Sequence, residues 1–411
     1  MARKMKDSGI EWIGEIPEGW EVVQLKRFAE VHNGREIDVE VNSTDSSAVG
    51  VYGSGGVFKY TNRAQYSGKA VLFGRKGTLG KPLYVEGQLW AVDTMYFLTY
   101  SNRLLEKFSY YQFLAFNWAP YITHTAIPSV VASEIVACYF PIPPLEEQAK
   151  IADYLDNGCA SLDTILDKTR SSIEEYKKLK QAVITQAVTK GVRGKREMKD
   201  SGVEWIGKIP REFDPVQLKF FCKLITDGTH FSPTTVENGW PYITAGDVHG
   251  IGLDYNSAKR ISEEDFQLLV AQGCQPLKGD VLLVKDGATT GRVGFVDSDT
   301  PCVILSSVAM LRPADKTDGH YLMYLLASDF LQKQILVSMA GSAMPRTTLT
   351  KLTKYIGLLP PLYEQKEIAD HLDAKCAEID KLIAKKEQLV KELESYKKSL
   401  IYEVVTGKRE V

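Results

Sequence analysis

Gly74 to Pro82 reads GRKGTLGKP, which has the composition of a loop that cradles phosphate. Its spacing is wrong for that chemistry. Five residues rather than four separate Gly74 from Gly80, and Pro82 follows Lys81 where a Ser or Thr should bind magnesium. YGSGGVFKY, from Tyr52 to Tyr60, clusters glycines without the dinucleotide fingerprint, so it reads as a turn. Glu364 and Lys366 have the types of a nuclease carboxylate and lysine, but they fall in the first turn of an expected helix, where a solvated charged face accounts for them. Six histidines (His32, His124, His230, His249, His320, His371) show no paired metal-ligand spacing and no Ser/His/Asp order. The six cysteines are scattered without a C-x-x-C pair, which excludes a zinc ribbon or a disulfide framework.

With catalytic motifs absent, binding chemistry remains. Local patches of Arg, Lys, Thr and aromatic residues can meet phosphates and base edges. In the first half of the chain these are Lys59, Tyr60 and Arg63, followed by Arg75, Lys76, Thr78 and Lys81. In the second half they are Thr229, His230, Lys285, Thr289, Thr290, Arg292 and Arg346. The net charge is only −2, so any contact with a polyanion must come from such patches and not from overall charge.

The elements that position these residues come in duplicate. MKDSGIEWIGEIPEGWEVVQLK (Met5 to Lys26) returns as MKDSGVEWIGKIPREFDPVQLK (Met198 to Lys219), with 15 of 22 positions identical at an offset of 193. PPLEEQAKIADYLD, from Pro143, returns as PPLYEQKEIADHLD, from Pro360, at an offset of 217. The segments between therefore differ in length by 24 residues, the difference between those offsets. A repeat this long describes two tandem modules and not a solenoid.

After the paired prolines, three-and-four spacing predicts long helices. One seam carries Ile151, Leu155, Leu162, Ile165, Ser172, Tyr176, Leu179, Val183 and Ala187. The other carries Ile368, Leu372, Ile379, Leu382, Leu389, Leu393, Tyr396, Leu400 and Val404. Proline excludes helix from the left, and glycines at Gly191 and Gly407 end each rod. Gly158 marks a point where the first helix could break. Each seam needs a partner: the other rod supplies one in an antiparallel coiled coil, and the alternative is that each rod packs only on its own globular domain. The middles read as α/β domains. KAVLFGRKGTLGKPLYV (Lys69 to Val85) and DVLLVKDGATTGRVGFV (Asp280 to Val296) match without a gap as strand, turn and strand, and AIPSVVASEI at Ala126 matches AMPRTTLTKL at Ala343. The predicted class is α+β with pseudo-twofold symmetry: globular domains over 1–142 and 193–359, and helical spacers over 143–192 and 360–411.

The doubled MKDSGxEWIGxIP entry, the doubled PPLxEQxxIADxLD helix start, ITDGTH at Ile225 to His230 and the VVTGK ending frame nearly the whole chain. Together they resemble the specificity subunit of type I restriction-modification enzymes. The resemblance implies two target-recognition domains, each reading half of a split double-stranded DNA site. It also implies two antiparallel helices that hold two modification subunits and set the spacing between the halves. It implies no catalytic residue, metal or cofactor on this chain: modification subunits carry S-adenosylmethionine and methylate adenine, and restriction subunits add ATP-driven translocation and cleavage. A cytoplasmic protein without a membrane segment is expected. A duplicated enzyme would keep one polar constellation in both middles, and beyond the hairpin the middles differ. A protein-only coiled-coil adaptor would show no salt-sensitive duplex binding.

Overall fold

Repeated sequence becomes repeated structure element by element. The computed structural model describes residues 3–123, 126–339 and 345–411; His124 and the Ala343 end of the matched exit segment lie outside the described residues. Each entry segment forms a short hairpin, Met5–Asp7 with Glu15–Pro17 and Met198–Asp200 with Lys208–Pro210. The next strand then pairs with the strand that leaves the middle: Glu21–Gln24 with Tyr139–Ile142, and Asp214–Gln217 with Ile356–Leu359. Each middle is thus stapled at its own ends.

Inside the middles, four strands recur in one spatial order. Ala29–Asn33, Met95–Tyr100, Tyr66–Gly74 and Leu83–Ala91 lie side by side in the first, extended by Val49–Gly53 and Gly56–Thr61. Cys222–Asp227, Val308–Pro313, Val281–Val284 and Val293–Phe295 lie side by side in the second. The registers Val71 to Leu98 and Val281 to Leu311 make Val71 and Val281 equivalent, an offset of 210, whereas Tyr84 and Phe295 are equivalent at 211. The hairpins therefore match only with one extra residue in the second connecting loop. The gapless match places the first arm one residue out, a slip that exchanges its two faces. Burial agrees: Val71 and Phe73 face the helix-lined core of their unit, as do Val281 and Leu283.

The long helices run from Leu145–Lys190 and Leu362–Val405. The first passes through Gly158 without a break. Gly191 and Gly407 both take φ of +71° just beyond the helices, where a left-handed residue lets the chain turn away.

Contacts divide the chain into two units, Met1–Ser171 with Glu387–Val411, and Ser172–Lys386. Within the first, Lys397 pairs with Asp163 at 2.6 Å and Arg170 with Glu394 at 2.6 Å, so the helix segments are antiparallel. Within the second, Lys180 meets Asp380 at 2.6 Å and Lys386 lies over Tyr176. The buried seam runs through Leu155, Cys159, Leu162, Leu166, Thr169 and Ile173 on one helix, and through Leu372, Cys376 and Ile379 towards Leu400 on the other. Ile165, Leu179, Leu382, Leu389 and Tyr396, expected in the seam, stand exposed on its flank.

The repeated frame residues clamp each helix to its own module. Gln148 is fully buried; its amide accepts from Leu105 N–H at 2.8 Å and donates to the carbonyls of Pro143 and Arg103. Gln365 does the same with Asp318 N–H at 2.8 Å and the carbonyls of Pro360 and Lys316. Tyr111 donates to Asp156 and Tyr324 to Asp373, both at 2.7 Å; burial first, then the carboxylate, pushes both phenols far up. Glu147 accepts from Trp20 Nε1 at 3.0 Å and pairs with Arg3 at 2.6 Å. Glu364 is not on a solvated face. Its side chain is 1% exposed and pairs with Arg196 at 2.6 Å, because the second entry segment folds over the helix start.

Candidate nucleic-acid interface

In both middles some of the candidate residues, Arg75 and Lys76 in the first and Thr229, Lys285 and Arg346 in the second, gather round one turn, the connection leading into the inner strand. Its close approach demands glycine on the neighbouring strand. A Cβ on Gly34 would meet Val92 O at 1.8 Å, and one on Gly228 would meet Ile304 O at 1.9 Å. Beside these glycines, Arg35 N–H donates to Ala91 O at 2.9 Å and Thr229 N–H to Ile304 O at 3.1 Å. The first hairpin arm arrives from the other side, with Arg75 N–H on Thr94 O at 2.7 Å and Lys285 N–H on Ser307 O at 2.8 Å. The exit segment closes the ring through the bridges Lys76 to Ser129 and Asp286 to Arg346. Matched positions therefore carry different side chains: Asn33 and Asp227, Arg35 and Thr229, Arg75 and Lys285, Lys76 and Asp286, Ser129 and Arg346.

The second ring is a chain of alternating charges. Lys285 lies 2.8 Å from Asp286 and 3.3 Å from Asp227. Asp286 also holds Arg346 Nε at 2.9 Å, and His230 Nε2 is 3.7 Å from Asp227. Lys285 is 3% exposed, which removes it from the residues free to touch a ligand. Thr229 is buried too, and its hydroxyl accepts from Phe231 N–H at 3.2 Å. Thr290 gives its hydroxyl to Gly287 O at 2.7 Å, while Thr289 is half-buried. Arg292 is exposed and lines a cleft with Lys180, Gln181 and Asp380 of the helical segments.

The first ring is basic and open. Arg75 is half-buried with its guanidinium over the Tyr96 ring, and Lys76, Thr78 and Lys81 are exposed. Lys59 and Tyr60 sit apart from this ring, on the hairpin Val49–Gly53 and Gly56–Thr61; Lys59 is held by Glu40 at 2.7 Å, Tyr60 is half-buried and Arg63 follows in the open. Arg35 and Asn33 escaped the sequence reading, as did Asp227 and Asp286. A signal existed: VHNGRE sits beneath ITDGTH at an offset of 194, one more than the entry segments. The irregularity between Cys222 and Leu224 inserts that residue. Among the described residues, no His, Cys, Asp and Glu cluster is arranged to hold a metal. No described helix is long and apolar enough to cross a membrane.

Two α+β modules carry differently charged rings, and each is clamped to its own long helix. The family model for the type I restriction modification DNA specificity domain matches residues 17–175 and again 210–392, and the chain belongs to that family. This makes it a non-catalytic DNA sequence-recognition subunit within a type I restriction-modification complex. It is 27% identical over 429 residues to the type I restriction enzyme MjaVIII specificity subunit of Methanocaldococcus jannaschii, covering 96% of this chain and 93% of that protein. To the EcoBI specificity subunit of Escherichia coli it is 26% identical over 253 residues, 59% of this chain and 52% of that one. A solved chain from work on complex assembly and conformational transition of the type I R-M system shares the fold, with a TM-score of 0.72, 18% identity, and coverage of 96% of this chain and 99% of that one.

Proposed function

We propose that residues 1–142 and 193–359 act as target-recognition domains, each reading one half of a bipartite site in double-stranded DNA. The segments 143–192 and 360–411 hold two modification subunits and set the distance between half-sites; restriction subunits join the same assembly, in the cytoplasm. The observation that carries this reading is one scaffold with two faces. The turn, the close-approach glycine and the three flanking segments recur, while the side chains they present do not. A duplicated catalytic centre would need the opposite, identical groups on whatever loops hold them.

Pairing with two identical subunits is supported by the helices. Ile165, Ser172 and Leu179 match Leu382, Leu389 and Tyr396 at the repeat offset of 217, and each set steps by seven residues. All lie just before seam positions. In an antiparallel pair those flanks line the same face, so each unit offers one largely apolar strip fit for a partner helix.

Exchange of residues 27–138 for the corresponding segment of another member tests the reading, leaving strand Tyr139–Ile142 with its partner Glu21–Gln24. Methylation mapping of the assembled complex is expected to show one half-site changed and the other kept; change in both halves would mean that the domains do not read independently. Arg75→Ala and Lys81→Ala are each expected to weaken duplex binding, by ~1 to 3 kcal/mol for a base-edge contact. For a phosphate contact the logarithmic salt slope would instead flatten by about one. Titrations at two salt concentrations separate these outcomes, and unchanged affinity and slope in both variants would remove the first ring as a reading surface.

A further inference from the structure

A buried ammonium needs paired carboxylates, and a buried carboxylate left alone is costly. Lys285 meets both requirements while touching little solvent, since it holds Asp227 and Asp286 from inside the domain. Asp286 then pairs with Arg346, at 61% side-chain exposure, while His230, at 71%, stands 3.7 Å from Asp227. Backbone bonds fix the inner members from both sides: Lys285 N–H donates to Ser307 O at 2.8 Å, and Thr347 N–H donates to Lys285 O at 2.9 Å. Thr347 is itself fully buried beside Tyr355, with hydroxyls 2.6 Å apart. Arg346 therefore leaves a rigid base.

The contact to Asp286 is an ion pair through Arg346 Nε, 2.9 Å from Oδ1, without the alignment of a hydrogen bond. Among the described residues the ion pair does not engage the two terminal nitrogens, so both can serve a ligand. Two parallel donors at the end of a planar fork match the O6 and N7 acceptors on the major-groove edge of guanine, which no other base pair presents together. A long, exposed arginine loses rotamer freedom on binding, and the ion pair with the carboxylate behind it reduces that loss by keeping the guanidinium close.

Building on the reading of the second domain as a DNA reader, we propose that Arg346 reads a guanine in the second half-site and that Lys285, which touches no DNA, is a positioning residue acting through Asp286. The first domain has Ser129 where Arg346 stands and Lys76 where Asp286 stands, so this readout belongs to the second half-site alone.

The test uses the assembled methylating complex and a library in which both half-sites are randomised. Arg346→Ala is expected to relax one G·C position of the second half-site by roughly 5- to 150-fold and to leave the first half-site as it was. Lys285→Met is expected to relax the same position, and Lys285→Arg, which keeps a cation between the two aspartates, to restore much of the preference. Should Lys285→Met fail to fold, Asp286→Asn makes the same measurement by loosening the hold on Arg346 while leaving Lys285 its pairing with Asp227. A uniform loss of affinity with a flatter salt slope for Arg346→Ala would make it a phosphate contact and overturn the proposal. Relaxation by Arg346→Ala but by neither inner variant would overturn the positioning role. Failure of the domain reading itself looks different: replacing the segment 222–355 would leave the second half-site unchanged.

Discussion

Arg196→Met is expected to destabilise the unit formed by Ser172–Lys386 by about 3 to 5 kcal/mol, the cost of stranding a buried charge. Glu364 is 1% exposed and Arg196 14%, so the pair works out of water. Both Glu364 oxygens lack a hydrogen bond of good geometry among the described residues, which leaves the contact with Arg196 as the compensation for that carboxylate. Arg196 also lies over the Phe213 ring and gives a hydrogen bond to Lys190 O at 3.0 Å, joining the entry segment to the end of the first long helix. Arg193 and Glu367 lie close by in sequence and pair at 2.7 Å, but both are largely solvated, and Arg193→Met is expected to leave the unfolding midpoint nearly where it was. Adding Glu364→Leu to Arg196→Met should recover most of the loss, because a matched apolar pair needs no compensation. Denaturant unfolding followed by hydrogen exchange in residues 198–217 measures all three. A loss below about 1 kcal/mol for Arg196→Met would mean that water reaches the carboxylate.

That pair also shows where sequence and structure part. Periodicity and proline placement located both helices to within a few residues, since a seam of three-and-four spacing has few other solutions. The seam's exact line was less legible. Leu382, Leu389 and Tyr396 are as apolar as their neighbours Ile383, Val390 and Leu393, and a stripe two residues wide leaves open which edge turns inward. Burial of Glu364 was hidden because a first-turn glutamate is ordinary on any exposed helix; only the entry segment folding across it, from far away in sequence, removes the water. Lys285 misled for the same reason. Its strand is apolar on both faces, Val281 to Val284, and a lysine at its end reads as the return to solvent, whereas Asp227 and Asp286 draw it inside. The hairpin match was right in kind and wrong by one residue in one arm, because a single extra loop residue leaves a gapless match looking good. The ring itself was half visible: ITDGTH stood out, while its counterpart VHNGRE shares only the glycine that the fold requires. The repeated frame clamps each helix to its own module, as Gln148 and Gln365 do.

Inserting seven residues into both long helices is expected to lengthen the spacer between half-sites by about three base pairs. The structure dictates where the insertions belong. In an antiparallel pair they must enter at one level, and Tyr176 lies under Lys386, so heptads placed directly after these two residues add the same length to facing segments. Equivalent repeat positions such as Lys178 and Ser395 are not at one level: Lys180 already faces Asp380, and Arg170 faces Glu394. Heptads added there would shift the intervening stretch against its partner. Seven residues at ~1.5 Å add about 10 Å, close to three base pairs at ~3.4 Å each. The seam keeps its register because the added unit equals the coiled-coil repeat. Turning of the duplex by about a tenth of a turn per base pair competes with this translation, so the best increment is where both the reach and the facing of the second half-site are satisfied. A single-helix insertion should not produce a longer spacer, because the unaltered partner holds the old length and the seam must buckle. Methylation mapping of the assembled complex decides between these. An active double-insertion enzyme with its original spacer would mean that the modification subunits, and not the helices, fix the distance.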